Sequence, residues 1–201
     1  MKEISFLNRY LPDYAGFVFA KSRRQVTPAQ AVELGTELLP AVKRVGVFVD
    51  CGVKMIADIV ETTGFDAVQL HGGEDCHYIE LLRSLLKPRI EIWKALRMDE
   101  SRMPEPGLLK SKHVDRLLLD TYAESAYGGT GKCFEWSLVS QLDTALPIVL
   151  AGGLRPDNVR RAIEQASPFA VDTSSGVERE GVKDDQKMYA FIKAVRGGIV
   201  Y

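Results

Sequence analysis

An excess of charge of either sign is missing from this chain. Twenty-six Lys and Arg stand against 27 Asp and Glu, for a formal net charge of −1. That balance excludes the basic footprint of a nucleic-acid binder or a protein held to anionic membrane. Long hydrophobic runs are missing too. None approaches the ~20 residues that span a bilayer, and no apolar core follows Met1-Lys2-Glu3-Ile4-Ser5 to make a secretory signal. Cysteine is scarce. Cys51, Cys76 and Cys133 are odd in number and lack metal-ligand spacing, which fits a reducing, cytoplasmic setting rather than a disulfide framework. Low-complexity tracts are absent and linkers are short, so residues 1–201 are expected to form one domain.

What is present is a repeat of apolar runs and amphipathic segments. Tyr14–Phe19, Arg44–Val49, Ala67–His71, Ile90–Leu96, Arg116–Asp120, Ile148–Ala151 and Phe169–Asp172 read as strands. Most are nearly continuous in apolar residues, as strands covered on both faces are. Helical stripes lie between them: Met55, Ile56, Ile59 and Val60; Val159, Ala162, Ile163 and Ala166; Met188, Phe191, Ile192 and Val195. Their i, i+3, i+4, i+7 spacing is read as core packing. Thr27-Pro28 is a cap followed by a first-turn proline, and Pro156 is read in the same way. Between Asp99 and Val114, Pro104 and Pro106 disfavour a long regular helix. The chain opens on Ile4, Leu7 and Leu11, a helical face, so a first strand is expected to be missing ahead of it.

The ends of the last two runs carry the strongest chemical signal. Phe169-Ala170-Val171 gives way to Asp172-Thr173-Ser174-Ser175-Gly176, and Ile148-Val149-Leu150-Ala151 to Gly152-Gly153. Hydroxyls and bare backbone N–H groups bind phosphate, and glycine lets the backbone come close. Gly152, Gly153, Ser174 and Ser175 are therefore candidate phosphate ligands. Asp172 either orients that loop or a sugar hydroxyl, or is a structural turn aspartate. Two such turns closing a strand–helix repeat point to a (β/α)8 TIM barrel of the α/β class, seven of its strands visible, with a small phosphorylated ligand. Gln69 and His71 alternate along one run and so share a face. His77 and His113 fall in helix or loop contexts and read as surface.

The order of motifs resembles that of phosphoribosylanthranilate isomerase. Gly16-Phe17-Val18-Phe19 before Lys21-Ser22-Arg23-Arg24, then Val45-Gly46-Val47-Phe48-Val49, Val68-Gln69-Leu70-His71-Gly72, Leu119-Asp120-Thr121, Gly128-Gly129-Thr130-Gly131-Lys132 and the two phosphate turns fall in register from about Tyr14 onward. The resemblance implies an Amadori rearrangement in tryptophan biosynthesis, N-(5-phosphoribosyl)anthranilate becoming 1-(2-carboxyphenylamino)-1-deoxyribulose 5-phosphate. It implies no metal or organic cofactor, because the substrate's own imine is the electron sink. Asp120 matches the general acid, and a carboxyl at a strand end beside an apolar wall can have its pKa raised. Arg24 matches the arginine that pairs with the anthranilate carboxylate through its guanidinium fork. Lys21 and Arg23 read as solvated. Gln69 and His71 are implied to position the ligand.

One family feature has no match. The general-base cysteine, in a Lys-x-Cys-Gly segment ending the first strand, has no counterpart in residues 1–201. Cys51 is the one cysteine at a comparable strand end, but it follows a different strand and is expected not to reach the same proton. Losing a strand would remove several apolar side chains at ~1.5–3 kcal/mol each, against a domain's margin of ~5–15 kcal/mol. It would also expose two edges, which self-association would cover. A catalytically impaired sugar-phosphate binder is the alternative. Another sugar-phosphate barrel enzyme is a further one: an epimerase would want metal ligands on several strand ends, and an indole glycerol phosphate synthase an early catalytic lysine.

Overall fold

The computed structural model describes residues 2–98, 106–120, 136, 139 and 142–197. Thr121, the glycine loop at 127–132 and Cys133 lie outside the described residues, as does 99–105 of the proline-containing stretch. The chain divides into two compact units, Met1–Ala95 with Ser111–Arg116, and Leu96–Lys110 with Leu117–Tyr201.

The first unit opens with α1 (Lys2–Tyr10) and β1 (Tyr14–Val18). It continues through α2 (Pro28–Glu37), β2 (Lys43–Phe48), α3 (Val53–Thr63), β3 (Ala67–Leu70) and α4 (Cys76–Leu85) into β4 (Glu91–Arg97). Successive strands pair in parallel, β1 with β2, β2 with β3 and β3 with β4. Parallel neighbours require a crossover, and the intervening helices supply it. All of β3 is buried, as a strand covered on both faces must be. Phe48, Ile56, Phe65, Leu70 and Ile92 are among the fully buried side chains. Helix α2 starts where its capping residues dictate. The Gln30 N–H donates to Thr27 Oγ1 at 3.2 Å, and the Thr27 N–H donates back to Gln30 Oε1 at 2.9 Å.

The second unit takes up the end of β4, with the Met98 N–H donating to the Asp120 carbonyl at 3.0 Å. It holds the short α5 (Pro106–Leu109), nearly all of β5 (Arg116–Asp120), β6 (Ile148–Ala151), α6 (Val159–Ala166) and β7 (Ala170–Val171). A 3-10 turn (Ser175–Val177), a hairpin of β8 (Glu178–Arg179) with β9 (Val182–Lys183), and α7 (Asp185–Val195) complete it. β5 pairs with β6 and β6 with β7, both in parallel. Leu117, Leu118, Leu119, Leu150 and Leu154 are fully buried. Hydrogen-bonding order follows chain order from β1 to β7. Parallel strands alternating with helices define the α/β class.

All seven expected runs are strands; two keep their bounds and the other five shift by a single residue at one or both ends. Three local expectations change. Met55 leaves the packed stripe, being 60% exposed, while Thr63 joins Ile56 and Val60 inside. Leu11 lies past the end of α1 in the left-handed region (φ 47°), its N–H bonded to the Leu7 carbonyl. Pro156 does not open α6. It sits in a turn closed by the Arg155 N–H on Asn158 Oδ1 at 2.7 Å, and the regular helix begins at Val159. The β8–β9 hairpin is too short to carry a period.

Candidate active site

Both phosphate-type turns lie in the second unit, beyond the carboxyl ends of β6 and β7. Gly152 and Gly153 both have positive φ, 89° and 64°, where a side chain would strain the backbone. Asn158 Nδ2 donates to the Gly153 carbonyl at 3.1 Å and holds the turn from behind. Thr173 Oγ1 donates to the Leu154 carbonyl at 2.7 Å, tying the second turn to the first. Gly176 makes the approach tighter still: a Cβ there would sit 1.9 Å from the Leu154 oxygen. Ser174 and Ser175 are left exposed on the joined loops. Asp172 continues the ladder, its N–H donating to the Leu150 carbonyl at 2.8 Å, and its side chain is exposed.

Asp120 is the last residue of β5, opposite Ala151 in register, and half-buried after the buried Leu117–Leu119. It belongs to the same unit and the same strand ends as the two turns. A carboxyl at a strand end can donate a proton to a ligand bound over that end of the sheet.

The first unit holds the other three candidates. Gln69 is buried in β3 and His71 follows the strand, half-buried. The Gln69 Nε2 and His71 Nδ1 atoms lie 2.9 Å apart, so the two side chains share a face as their alternation requires. With the Gln69 amide as donor, Nδ1 accepts and the ring proton stays on Nε2. The basic run after β1 also sorts as expected. Lys21 and Arg23 are exposed whereas Arg24 is half-buried, its N–H donating to Ser22 Oγ at 3.2 Å.

A buried polar network braces the loop after His71. Lys94 Nζ is 2.7 Å from Glu74 Oε2, with both side chains almost wholly buried. Lys94 also donates to the Gly72 carbonyl at 2.7 Å. Glu74 accepts the Asp50 and Gly72 N–H groups, each at 2.9 Å, and Asp50 Oδ1 accepts the Gly73 N–H at 2.7 Å. Every buried charge is thus hydrogen-bonded as well as paired. Beside it, the Tyr78 hydroxyl donates to the Cys51 carbonyl. Burial, then the Glu74 charge, pushes the Tyr78 phenol up to about 12. Burial also raises the Cys51 thiol, and Glu74 adds to that against a lowering contact from the Gly52 backbone. A thiol raised in this way is scarcely ionised at neutral pH, in keeping with an ordinary role for Cys51. His77 is exposed on α4, while His113 is half-buried, 3.8 Å from Glu80.

Sequence reasoning did not find the supporting groups Asn158, Thr173 and Glu74. Thr173 and Glu74 reach backbone atoms 19 and 24 residues away, so no spacing rule reveals them. Asn158 is partly legible, because an asparagine after Arg-Pro-Asp marks a turn before a helix.

Parallel strands alternating with helices, with polar carboxyl ends and paired glycine–serine turns, place the chain in the α/β class of the (β/α)8 type, whose strand ends carry the site. The comparisons with known proteins agree. A family model described as N-(5'phosphoribosyl)anthranilate (PRA) isomerase matches residues 3–194. The N-(5'-phosphoribosyl)anthranilate isomerase of Acetivibrio thermocellus is 44% identical over 207 residues, covering 99% of this chain and 94% of the relative. The crystal structure of phosphoribosyl anthranilate isomerase from Thermotoga maritima superimposes with a TM-score of 0.84 at 39% identity, covering 98% of this chain and 94% of the other. A crystal structure of a phosphoribosyl anthranilate isomerase in complex with reduced 1-(o-carboxyphenylamino)-1-deoxyribulose 5-phosphate is similar at a TM-score of 0.82 and 37% identity, over 98% of this chain and 93% of the other. The chain belongs to the phosphoribosylanthranilate isomerase family.

Proposed function

We propose that this member of an isomerase family of tryptophan biosynthesis divides the rearrangement of phosphoribosylanthranilate among the following residues. Gly152, Gly153, Ser174 and Ser175 take the phosphate, and Arg24 takes the anthranilate carboxylate through a two-pronged hydrogen bond. Gln69 and His71 position the substrate, and Asp172 orients the second phosphate loop or a sugar hydroxyl. Asp120 is the general acid. It protonates the furanose ring oxygen as the C1–O bond breaks, and the anthranilate nitrogen's lone pair forms the C=N bond of a Schiff base. A base then removes the C2 proton, and that electron pair becomes the C1–C2 double bond of an enolamine. Ketonisation gives the aminodeoxyribulose phosphate. The observation that carries the reading is the pair of clipped turns, Gly153 in the left-handed region and Gly176 pressed against Leu154, in the same unit as Asp120.

None of residues 1–201 is assigned as the base, and the raised Cys51 thiol argues against using that group. The single-domain, cytoplasmic reading stands beside this, supported by composition. Among the described residues no helix is long and apolar enough to cross a membrane. Self-association through the strand edges is also kept, supported by β7, which has no fully buried residue. The test is a set of two variants. Asp120→Asn should lower kcat by ~10²–10⁴-fold. Arg24→Ala should weaken binding of the reduced product analogue by ~1.5–3 kcal/mol. Unchanged turnover in the first, or unchanged calorimetric affinity in the second, would remove that residue from the assignment.

A further inference from the structure

Lys183 ends the small hairpin and reaches back to the second phosphate turn. Its Nζ lies 2.8 Å from the Ser174 carbonyl oxygen, 3.5 Å from Ser174 Oγ and 3.3 Å from Glu178 Oε1. Glu178 is buried, and its own carbonyl accepts from Lys187 Nζ at 2.7 Å. Asp184 caps α7 through the Lys187 N–H at 3.0 Å and pairs with Arg179 at 2.9 Å, so the hairpin is held at both ends. An ammonium has three N–H donors and no acceptor. Three acceptors surround this one, so its contacts are spent on the protein.

We infer that Lys183 is a positioning residue for phosphate recognition, turning the Ser174–Ser175 peptide so that its N–H faces the anion. This rests on the phosphate reading of the two turns. The argument is geometric. A trans peptide is planar, and its C=O and N–H point in opposite directions. A lysine that holds the Ser174 carbonyl on one side therefore aims the Ser175 N–H to the other. It also masks a carbonyl whose partial negative charge would repel phosphate. Ser174 Oγ, next to the ammonium, is turned to use its own proton elsewhere, as a donor. Asn158 on the Gly153 carbonyl applies the same device to the first turn.

The test is calorimetric, on the chain with two probes: reduced 1-(o-carboxyphenylamino)-1-deoxyribulose 5-phosphate and the same compound without its phosphate. Lys183→Met should weaken the phosphorylated probe about tenfold and the other less than twofold. Lys183→Arg, which keeps charge and donors, should recover most of the loss. A merely structural lysine would weaken both probes alike, and that result would overturn the inference, as would a Lys183→Met protein with unchanged preference. Should the methionine variant not fold, the ratio of affinities is read on Lys183→Gln under the same criteria. Ser175→Glu separates the two claims. If it leaves the preference for the phosphorylated probe intact, the phosphate reading fails and takes this inference with it. If it abolishes the preference while Lys183→Met does not, only this inference fails.

Discussion

At the scale of single residues, the site depends on atoms that have no room to change. Gly176 faces the Leu154 carbonyl so closely that an added Cβ would lie 1.9 Å from its oxygen. Backbone cannot yield as a flexible side chain can. Gly176→Ala should therefore part the two turns, costing ~1–3 kcal/mol in a denaturant melt, and should weaken the phosphorylated analogue more than its dephosphorylated form. Glu74 is the other sensitive point. Glu74→Gln leaves the Lys94 ammonium buried without its counter-charge, and breaking such a pair costs ~3–5 kcal/mol. Replacing both partners together by Lys94→Met and Glu74→Leu should cost much less. If the double variant were as unstable as the single one, the loss would lie in the backbone contacts of Glu74 rather than in the stranded charge.

Elements in the first unit divide their labour between strand beginnings and strand ends. Tyr14, Lys43, Glu91 and Arg116 each open a strand. There Arg116 grips Glu91 through Nε at 2.7 Å and Nη2 at 3.1 Å, and Trp93 Nε1 donates to the same carboxylate at 2.7 Å. The Arg116 guanidinium also lies 5.5 Å from the centre of the Trp93 ring. Burial opposes ionisation of Glu91, but the Arg116 and Trp93 hydrogen bonds outweigh it and hold the carboxyl below its ordinary 4.5. A lowered folded value stabilises the protein above the unfolded pKa, and the contribution is lost as pH falls through the folded one. The stability gap between the parent and Glu91→Gln should thus be flat at neutral pH and shrink below about pH 4.5. A gap that instead grew in acid, measured by denaturant melts across that range, would contradict the sign. At a strand end of the same unit, by contrast, sits His71, against Gln69. Strand beginnings of this fold serve stability and strand ends serve chemistry.

For the whole molecule, turnover depends on a base that removes the C2 proton. Residues 1–201 hold no Lys-x-Cys-Gly segment, while β1 and β7 stand at the two ends of the hydrogen-bonding order. A strand of the type Lys-Ile-Lys-Ile-Cys-Gly placed ahead of Met1 should supply both a partner for a strand edge and a thiol for the chemistry. Thermal stability and turnover should rise together. The same extension with alanine for cysteine should raise stability alone, because an added strand buries apolar area whatever its last side chain is. A cysteine extension that stabilises yet stays inert with Asp120 intact would favour the reading of a binder without full turnover.

The seven strands and the two glycine- and serine-bearing turns after β6 and β7 were legible in residue order alone, because both are local. Alternation of apolar runs with helical stripes follows from strands buried on two faces, and Gly152-Gly153 and Asp172 to Gly176 announce their backbone needs by residue type. The shared face of Gln69 and His71 also followed from pattern, whereas setting Arg24 apart from Lys21 and Arg23 rested on the family resemblance. What residue order could not show are contacts between segments far apart in the chain. Lys94, within β4, is buried against Glu74 twenty residues away, a pairing no spacing announces. Pro156 looks like a helix opener until Asn158 closes a turn around it. Thr173, Gly176 and Lys183 acquire their roles only because folding brings the Leu154 and Ser174 carbonyls to them. A hydrogen bond to a distant backbone atom leaves no period in the sequence, and only the tertiary structure decides it.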